Sequence, residues 1–200
     1  MTTVLIINAG IRLPQPDGST LGTLSRHLVD TARCAFKAAG HDVVETDLNG
    51  TWTLEEELEK VLASGLIFLQ TPVWAMSTPW QYTKWQDEVL THPSVCGTDG
   101  RTRTNPRKKY GTGGFLTNKK YWLSTTWNAP HSALYDPGDF FDSRGVEEVL
   151  IPLHKQFAYM GIKCLQSTFA VFDVYKNPQF ERDLKRFDEA LKIAVQRMAS

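Results

Sequence analysis

Two apolar runs without alternation frame the chain: Val4-Leu5-Ile6-Ile7-Asn8, almost at its start, and Leu66-Ile67-Phe68-Leu69. Unbroken apolar stretches of this length fit strands covered on both faces, as in a parallel sheet. After the first run, a polar segment with Pro14, Pro16, Asp17 and Gly18 leads to Ser19 or Thr20, either of which suits the cap of a helix reaching about Ala39. Leu21, Leu24, Leu28, Ala32, Ala35 and Ala39 recur along it at three- and four-residue spacing, and Gly40 is its stop. Val43 and Val44 mark a shorter second strand over 42–47, whose mixed polarity places it at a sheet edge. Thr53 and Glu56 form a capping-box pattern that opens a helix with Leu54, Leu58, Val61 and Leu62 inward, and Gly65 then turns the chain into the third strand.

Pro72 ends the ladder of that third strand. Thr78 before Pro79 is an N-cap followed by proline at the first helical position, which predicts a helix over 79–90 with Tyr82, Trp85 and Val89 on one face. A loop over 91–114, rich in Gly, Pro, Thr, Arg and Lys, precedes a fourth strand over 121–125. Loops of that length inside a compact domain are usually functional. The periodicity then predicts a helix over 146–160 stopped by Gly161, a fifth strand over 164–171, and a last helix over 178–199 with Phe180, Leu184, Phe187, Leu191 and Val195 inward. Five strands alternating with five helices predict an α/β fold, a flavodoxin-like doubly wound parallel sheet in the order 2-1-3-4-5, as one domain over 1–200. The alternation also suits a dinucleotide-binding Rossmann half, but the Gly-x-Gly-x-x-Gly turn after strand one is missing.

Charge narrows the partners. Lys plus Arg equals Asp plus Glu at 22 each, so no long-range field favours nucleic acid or an anionic membrane, and any anion must be recognised by local charge. Cys34, Cys96 and Cys164 are odd in number, far apart and without a Cys-x-x-Cys pair, which fits reduced structural thiols and no metal framework. No apolar run approaches the roughly 20 residues that span a bilayer, and no basic leader precedes the first strand, so a soluble cytoplasmic protein is expected.

Candidate chemistry gathers where strands end. Between Pro72 and Pro79 the chain carries Trp74, Met76 and neighbours that suit the face of a large planar ligand, although the same aromatics also suit a subunit contact. In open α/β sheets, ligands bind beyond the carboxyl ends of the strands. Asp17, Gly18, Ser19, Thr20, Leu21, Gly22 and Thr23 offer glycines for close backbone approach and hydroxyl donors at a helix start, where a diphosphate or an ordinary surface cap are both accommodated. Without Gly-Lys-Ser/Thr, a nucleotide triphosphatase is a weak reading. Arg101, Arg103, Arg107, Lys108 and Lys109 form a basic stretch suited to phosphate or to plain solvation.

Four separated motifs carry a family resemblance: Pro72-Val73-Trp74-Ala75-Met76-Ser77-Thr78-Pro79-Trp80, Asp99-Gly100-Arg101-Thr102-Arg103, Lys108-Lys109-Tyr110-Gly111-Thr112-Gly113-Gly114, and Lys119-Lys120-Tyr121 with Thr126-Trp127-Asn128-Ala129-Pro130. In order and spacing they resemble the modulator of drug activity B family of flavodoxin-like NAD(P)H quinone reductases. That resemblance implies FAD, NADPH as hydride donor, a quinone acceptor and a homodimer. It implies that Asp17 to Thr23 hold the diphosphate side of FAD, that Val73, Trp74, Ala75 and Met76 with Thr126, Trp127, Asn128 and Ala129 cradle the isoalloxazine, and that Tyr110 contacts the flavin, from its own or a partner subunit. The chain departs from the family pattern at Pro16, where a serine is usual, at Leu21, where an asparagine is usual, and at Ala75, where a second tryptophan is usual. The first two put particular phosphate contacts in question, and Ala75 opens space beside the ring. His131 replaces an apolar residue and is either a proton donor to flavin or quinone or a solvated loop residue.

On this reading the flavin performs the hydride chemistry by ping-pong turnover, and the protein supplies binding and orientation. Trp127, Tyr110 and His131 are the catalytic candidates, with Trp127 and Trp74 shaping the slot and Trp127 read as a site residue in preference to a core one. Backbone N–H groups after the third and fourth strands are expected to stabilise negative charge on the cofactor ring. Trp80, Tyr82, Trp85, Tyr110 and Phe115 are more aromatic surface than a small monomer exposes, which predicts an isologous dimer. The rival enzyme is an FMN-dependent azo- or nitroreductase of the same fold. A non-catalytic electron-transfer flavodoxin is less consistent with zero net charge, since such carriers are usually acidic.

Overall fold

The computed structural model describes residues 1–14, 18 and 22–199. Strands β1 (Thr3–Asn8), β2 (Asp42–Asp47), β3 (Leu66–Pro72) and β4 (Lys120–Thr126) pair in parallel in the order β2-β1-β3-β4. The predicted fifth strand is divided into β5 (Lys163–Cys164) and β6 (Phe169–Val171), both parallel to β4, so the order 2-1-3-4-5 holds with its last place split. The register explains the split. Residues 165–168 face only Trp122 and Leu123 on β4, and the surplus chain bulges outward. Side chains hold the bulge: the Trp122 indole N–H donates to the Ser167 carbonyl at 3.1 Å, and the Thr168 N–H donates to Glu147 Oε1 at 2.7 Å.

Among the described residues seven α-helices accompany the sheet: α1 (Thr23–Ala38), α2 (Leu54–Ala63), α3 (Trp80–Trp85), α4 (His131–Tyr135), α5 (Val146–Val149), α6 (Ile151–Tyr159) and α7 (Phe180–Ala199). Alternation along the central strands sorts the core. Val4, Ile6, Leu66, Phe68 and Trp122 pack with Phe36 of α1 and Phe187 of α7, while Leu5, Ile7, Ile67, Leu69 and Leu123 pack with Val61 of α2, Trp85 of α3 and Phe157 of α6. Both faces are therefore apolar, which is why the strands read as unbroken runs.

Several local expectations change. Helix α1 begins at Thr23 behind Gly22, and Ser19 and Thr20 lie outside the described residues. The Thr53 cap is as predicted, its Oγ1 accepting the Glu56 N–H at 3.3 Å, but Leu62 is 45% exposed and the buried position goes to Glu57. Helix α3 runs on as a π turn over Gln86–Leu90, which keeps Tyr82, Trp85 and Val89 buried together. The helix expected over 146–160 breaks at Leu150, and Pro152 sits in the opening turn of α6. In an uninterrupted helix that proline would remove a hydrogen bond and clash with the carbonyl four residues back. None of the cysteines is a core thiol: Cys34 and Cys164 are exposed and Cys96 is half-buried. No helix among the described residues is long and apolar enough to cross a membrane.

Candidate active site

The connections leaving β1 and β3 go to opposite faces of the sheet, α1 to one and α3 to the other, which opens a crevice at their carboxyl ends. A cavity of about 450 Å³ lies there. One end is the start of α1, with Gly22, Thr23 and Ser25 on its lining. Gly22 has φ 86°, and a Cβ at that position would stand 2.6 Å from the Ile11 carbonyl oxygen, so the chain folds back on itself only because glycine is there. Gly22 supplies no side-chain cap and the first turn of α1 holds no acid, and the positive end of the helix dipole lies at this cavity.

The opposite wall is the loop after β3. The Trp74 N–H donates to the Ser77 carbonyl at 2.8 Å and the Ser77 N–H returns to Trp74 at 2.9 Å, closing a tight turn. Its central residues, Ala75 and Met76, have φ of 47° and 63°. This is a type I′ geometry built without glycine, at a strain of roughly 1–2 kcal/mol per residue. Strain of this kind persists where surrounding structure imposes it, commonly at functional sites. Here the Val73 N–H is anchored on the Thr126 carbonyl at 2.9 Å. Thr126, Asn128 and, after β6, Val174, Tyr175 and Phe180 complete the lining. Beneath it the strand ends are polar and buried: the Gln70 Nε2 lies 3.5 Å from Ser25 Oγ, while Gln70 Oε1 and Ser124 Oγ have no partner among the described residues.

A second cavity of about 400 Å³ adjoins the first, with Val73 and Asn128 lining both. Ala75, Met76, Trp127, Ala129, Ala133, Phe140 and Phe141 complete its lining. The sites expected after β3 and β4 thus come together: Pro72, Val73, Trp74, Thr126 and Asn128 at the first cavity, Val73, Ala75, Met76, Trp127, Asn128 and Ala129 at the second. Of the phosphate stretch, Gly22 and Thr23 line the first cavity and Gly18 is exposed. Asp17, Ser19, Thr20 and Leu21 lie outside the described residues.

Trp127 is not a turn residue in solvent. It is 2% exposed and packs with Leu134, Val146, Leu150 and Ala170, its indole N–H donating to Thr125 Oγ1 at 2.9 Å. Tyr110 lines neither cavity of its own chain. It is 69% exposed, resting on Tyr159 at 5.6 Å between ring centroids, with the Arg101 guanidinium 5.4 Å from its ring. Arg101 also bonds Asp99 through Nε at 2.8 Å and Nη2 at 2.6 Å, and holds that carboxyl below its ordinary pKa. His131 stacks on Tyr135 at 4.3 Å and lines another open recess with Arg182 and Arg186, and it is on the lining of neither cavity. The expected free N–H groups are largely spent, those of Val73, Trp74 and Trp127 donating to Thr126, Ser77 and Val171.

Sequence reasoning missed the loop after β6 and the Phe140-Phe141 pair. Phe180 was placed in the core by periodicity but is 42% exposed and lines the first cavity, since it starts its helix at the sheet's open end. Its neighbour in the cavity, Tyr175, follows a strand end just as Trp74 does, and that was the available signal.

Residues 2–194 match the model of a family described by its flavodoxin-like fold. The NADPH:quinone oxidoreductase MdaB of Haemophilus influenzae is 40% identical over 177 residues, covering 88% of this chain and 92% of that protein. A candidate quinone reductase from Klebsiella pneumoniae superposes with a TM-score of 0.72 at 18% identity, over 100% of this chain and 84% of the other. An FMN-dependent NADH-azoreductase of Bacillus anthracis superposes with a TM-score of 0.68 at 13% identity, over 100% of both chains. The last two show the shared fold, and the first reaches further: the chain belongs to the flavodoxin-like family and, within it, to the modulator of drug activity B group of NAD(P)H quinone reductases.

Proposed function

We propose that the chain binds FAD at the first cavity and transfers a hydride from NADPH to a quinone, working as a homodimer. The observation that carries this reading is the cavity itself, with a helix N-terminus at one end and Val73 and Trp74 at the other. Those two ends suit a molecule with an anionic tail and a flat apolar ring. The close-packed backbone at Gly22 and the unpartnered Gln70 Oε1 beneath the lining fit such a group, the first by admitting phosphate to the helix start and the second by offering a buried acceptor. When bound, the flavin supplies the redox chemistry by ping-pong turnover, accepting a hydride from one small molecule and releasing it to the next.

The chain's own residues bind and orient. Gly22 and Thr23, with Asp17, Gly18, Ser19, Thr20 and Leu21, take the diphosphate side. Pro72, Val73, Trp74, Ala75 and Met76 and the facing Thr126, Trp127, Asn128 and Ala129 hold the ring. Tyr110, outside the cavities of its own chain, is assigned to the flavin of the partner subunit, and the basic residues Arg103, Arg107, Lys108 and Lys109 share its exposed loop. Trp80, Tyr110 and Phe115 are exposed and support the dimer, whereas Tyr82 and Trp85, at 0% exposure, belong to the core and drop out of that argument.

Mass spectrometry of the cofactor released from the purified protein is expected to show FAD, and FMN alone would overturn the assignment. Initial rates over both substrates should give the parallel reciprocal plots of ping-pong turnover, with intersecting plots as the contrary result. Light scattering should return twice the chain mass of 22.6 kDa. Gly22→Ala places a Cβ against the Ile11 carbonyl and a side chain in left-handed backbone. Such strain is worth roughly 1–2 kcal/mol, so flavin binding should weaken about tenfold. Unchanged flavin affinity in fluorescence titration would remove the start of α1 from the site.

A further inference from the structure

The Lys119-Lys120-Tyr121 motif lines neither cavity at the carboxyl ends of the strands. It lies at the start of β4, where Tyr121 stands in register with Cys164 of β5. From Tyr121 to Thr126 the strand covers roughly 16 Å, at about 3.3 Å per residue. At this amino end of the sheet lies a further cavity of about 440 Å³, a volume in the range of small-molecule sites. One side of α6 lines it, Ile151, His154, Lys155 and Ala158 following one another at three- and four-residue spacing. Tyr121 and the chain from Gly161 to Cys164 complete the lining, which holds no carboxylate among the described residues.

Most polar atoms of this lining are already engaged. The Tyr121 hydroxyl lies 2.7 Å from His154 Nδ1, and His154 Nε2 lies 2.6 Å from Glu147 Oε2. Glu147 is itself held by the Thr168 N–H at 2.7 Å and the Thr168 hydroxyl at 2.9 Å. The Cys164 thiol donates to the Gln166 carbonyl at 3.1 Å. The N–H groups of Gly161, Ile162 and Lys163 donate to the carbonyls of Ala158, Phe157 and Lys119. Burial pushes the Tyr121 hydroxyl and the Cys164 thiol above their ordinary pKa, so both are uncharged at neutral pH. Lys155 and Lys163 differ from all of these. Both are exposed, and neither ammonium group has a partner among the described residues. Ile151, 47% exposed, adds apolar surface beside them, with Ala158 and Ile162. The side-chain donors left for a ligand are therefore two positive charges set on a largely carbon surface.

We infer that this cavity is a binding site, separate from the one at the carboxyl ends of the strands, for an organic anion: a compact apolar body carrying one carboxylate, which Lys155 and Lys163 hold. The lysines select the charge and the carbon surface selects the body. A neutral molecule of the same shape gains only the burial, and a bare anion gains only the attraction of exposed lysines, which is weak in water. Cys164 on the lining reports occupancy, and Cys34, exposed on α1, serves as the control thiol.

The test uses the full-length protein as purified, with naphthoate, the matching naphthyl alcohol and acetate as probes. Affinities come from calorimetry, and alkylation of each thiol by iodoacetamide is followed by peptide mass spectrometry. With naphthoate at roughly ten times its dissociation constant, Cys164 should react about tenfold more slowly while Cys34 keeps its rate. The alcohol and acetate at the same concentration should slow Cys164 by no more than about twofold. Combining Lys155→Gln with Lys163→Gln should weaken naphthoate binding about tenfold, each exposed ion pair contributing a few-fold. Ala158→Glu puts a carboxylate on the lining at an exposed helical position and should abolish protection of Cys164 while the melting temperature stays near that of the parent. Equal protection by the alcohol or by acetate would overturn the inference, as would equal slowing of Cys34. Naphthoate affinity unchanged in the double lysine variant would overturn it as well, even if Ala158→Glu failed to fold.

Discussion

Glu57→Ala is expected to cost about 3–5 kcal/mol of folding stability, the range for removing one partner from a buried ion pair. Glu57 is 0% exposed, and every contact it makes is structural. Its Oε2 accepts the Thr46 hydroxyl at 2.6 Å and the Trp85 indole N–H at 2.8 Å, while Oε1 pairs with Lys60 Nζ at 2.6 Å. One carboxylate thereby ties α2 to β2 and to α3. Alanine would leave the Trp85 N–H and the Thr46 hydroxyl buried without an acceptor, and Lys60 without its counter-charge. Glu57→Gln keeps one carbonyl acceptor and should lose less, about 1–3 kcal/mol. Urea denaturation of the two variants checks this. A loss below about 1 kcal/mol for alanine would mean that water or a shifted side chain replaces the carboxylate.

That network also marks where sequence reading runs out. The Thr53 cap and the strands β1, β2 and β3 were legible because each is a local pattern: a hydroxyl three residues before an acceptor-seeking N–H, or apolar runs closed by Gly, Pro or Asp. Glu57 was not, since a glutamate in a helix reads as solvent-facing until Thr46 and Trp85 arrive from elsewhere. The divided fifth strand escaped for the same reason. Its split depends on how residues 165–168 match Trp122 and Leu123, a property of pairing that composition does not carry. The walls after β3 and β4 were found because strand ends with tryptophan or proline stand out. Phe140-Phe141 did not stand out, since its loop follows the short helix α4, which the sequence leaves unmarked and which orients it by a bond to Ala133. Tyr110 was drawn to the site by the family resemblance and His131 by its chemical type, and within one chain neither lines the two cavities.

Trp127 decides whether the wall of the second cavity is separable from the core, and its replacement should lower both stability and turnover. The sequence alone favours loss of activity with the fold intact, but burial to 2% exposure changes that expectation. Trp127→Ala empties a ring from the cluster of Leu134, Val146, Leu150 and Ala170, and removals of this size cost roughly 3–5 kcal/mol. Because these contacts are with protein, the loss should appear equally with and without flavin. The same ring faces Phe141 and lines the cavity beside Asn128, so the remaining folded enzyme should also turn over more slowly. A shift of ~1 Å in a bound reactant costs on the order of a hundredfold in rate. Trp127→Phe separates the two effects. It keeps much of the packing and gives up the N–H bond to Thr125, which is worth about 0.5–1.5 kcal/mol. Its stability should therefore stay near that of the parent while turnover per bound flavin falls more than about tenfold with bulky acceptors. Should Trp127→Phe match the parent in turnover per bound flavin, and Trp127→Ala fail only through unfolding, the indole packs the domain and its place on the cavity wall has no part in the reaction.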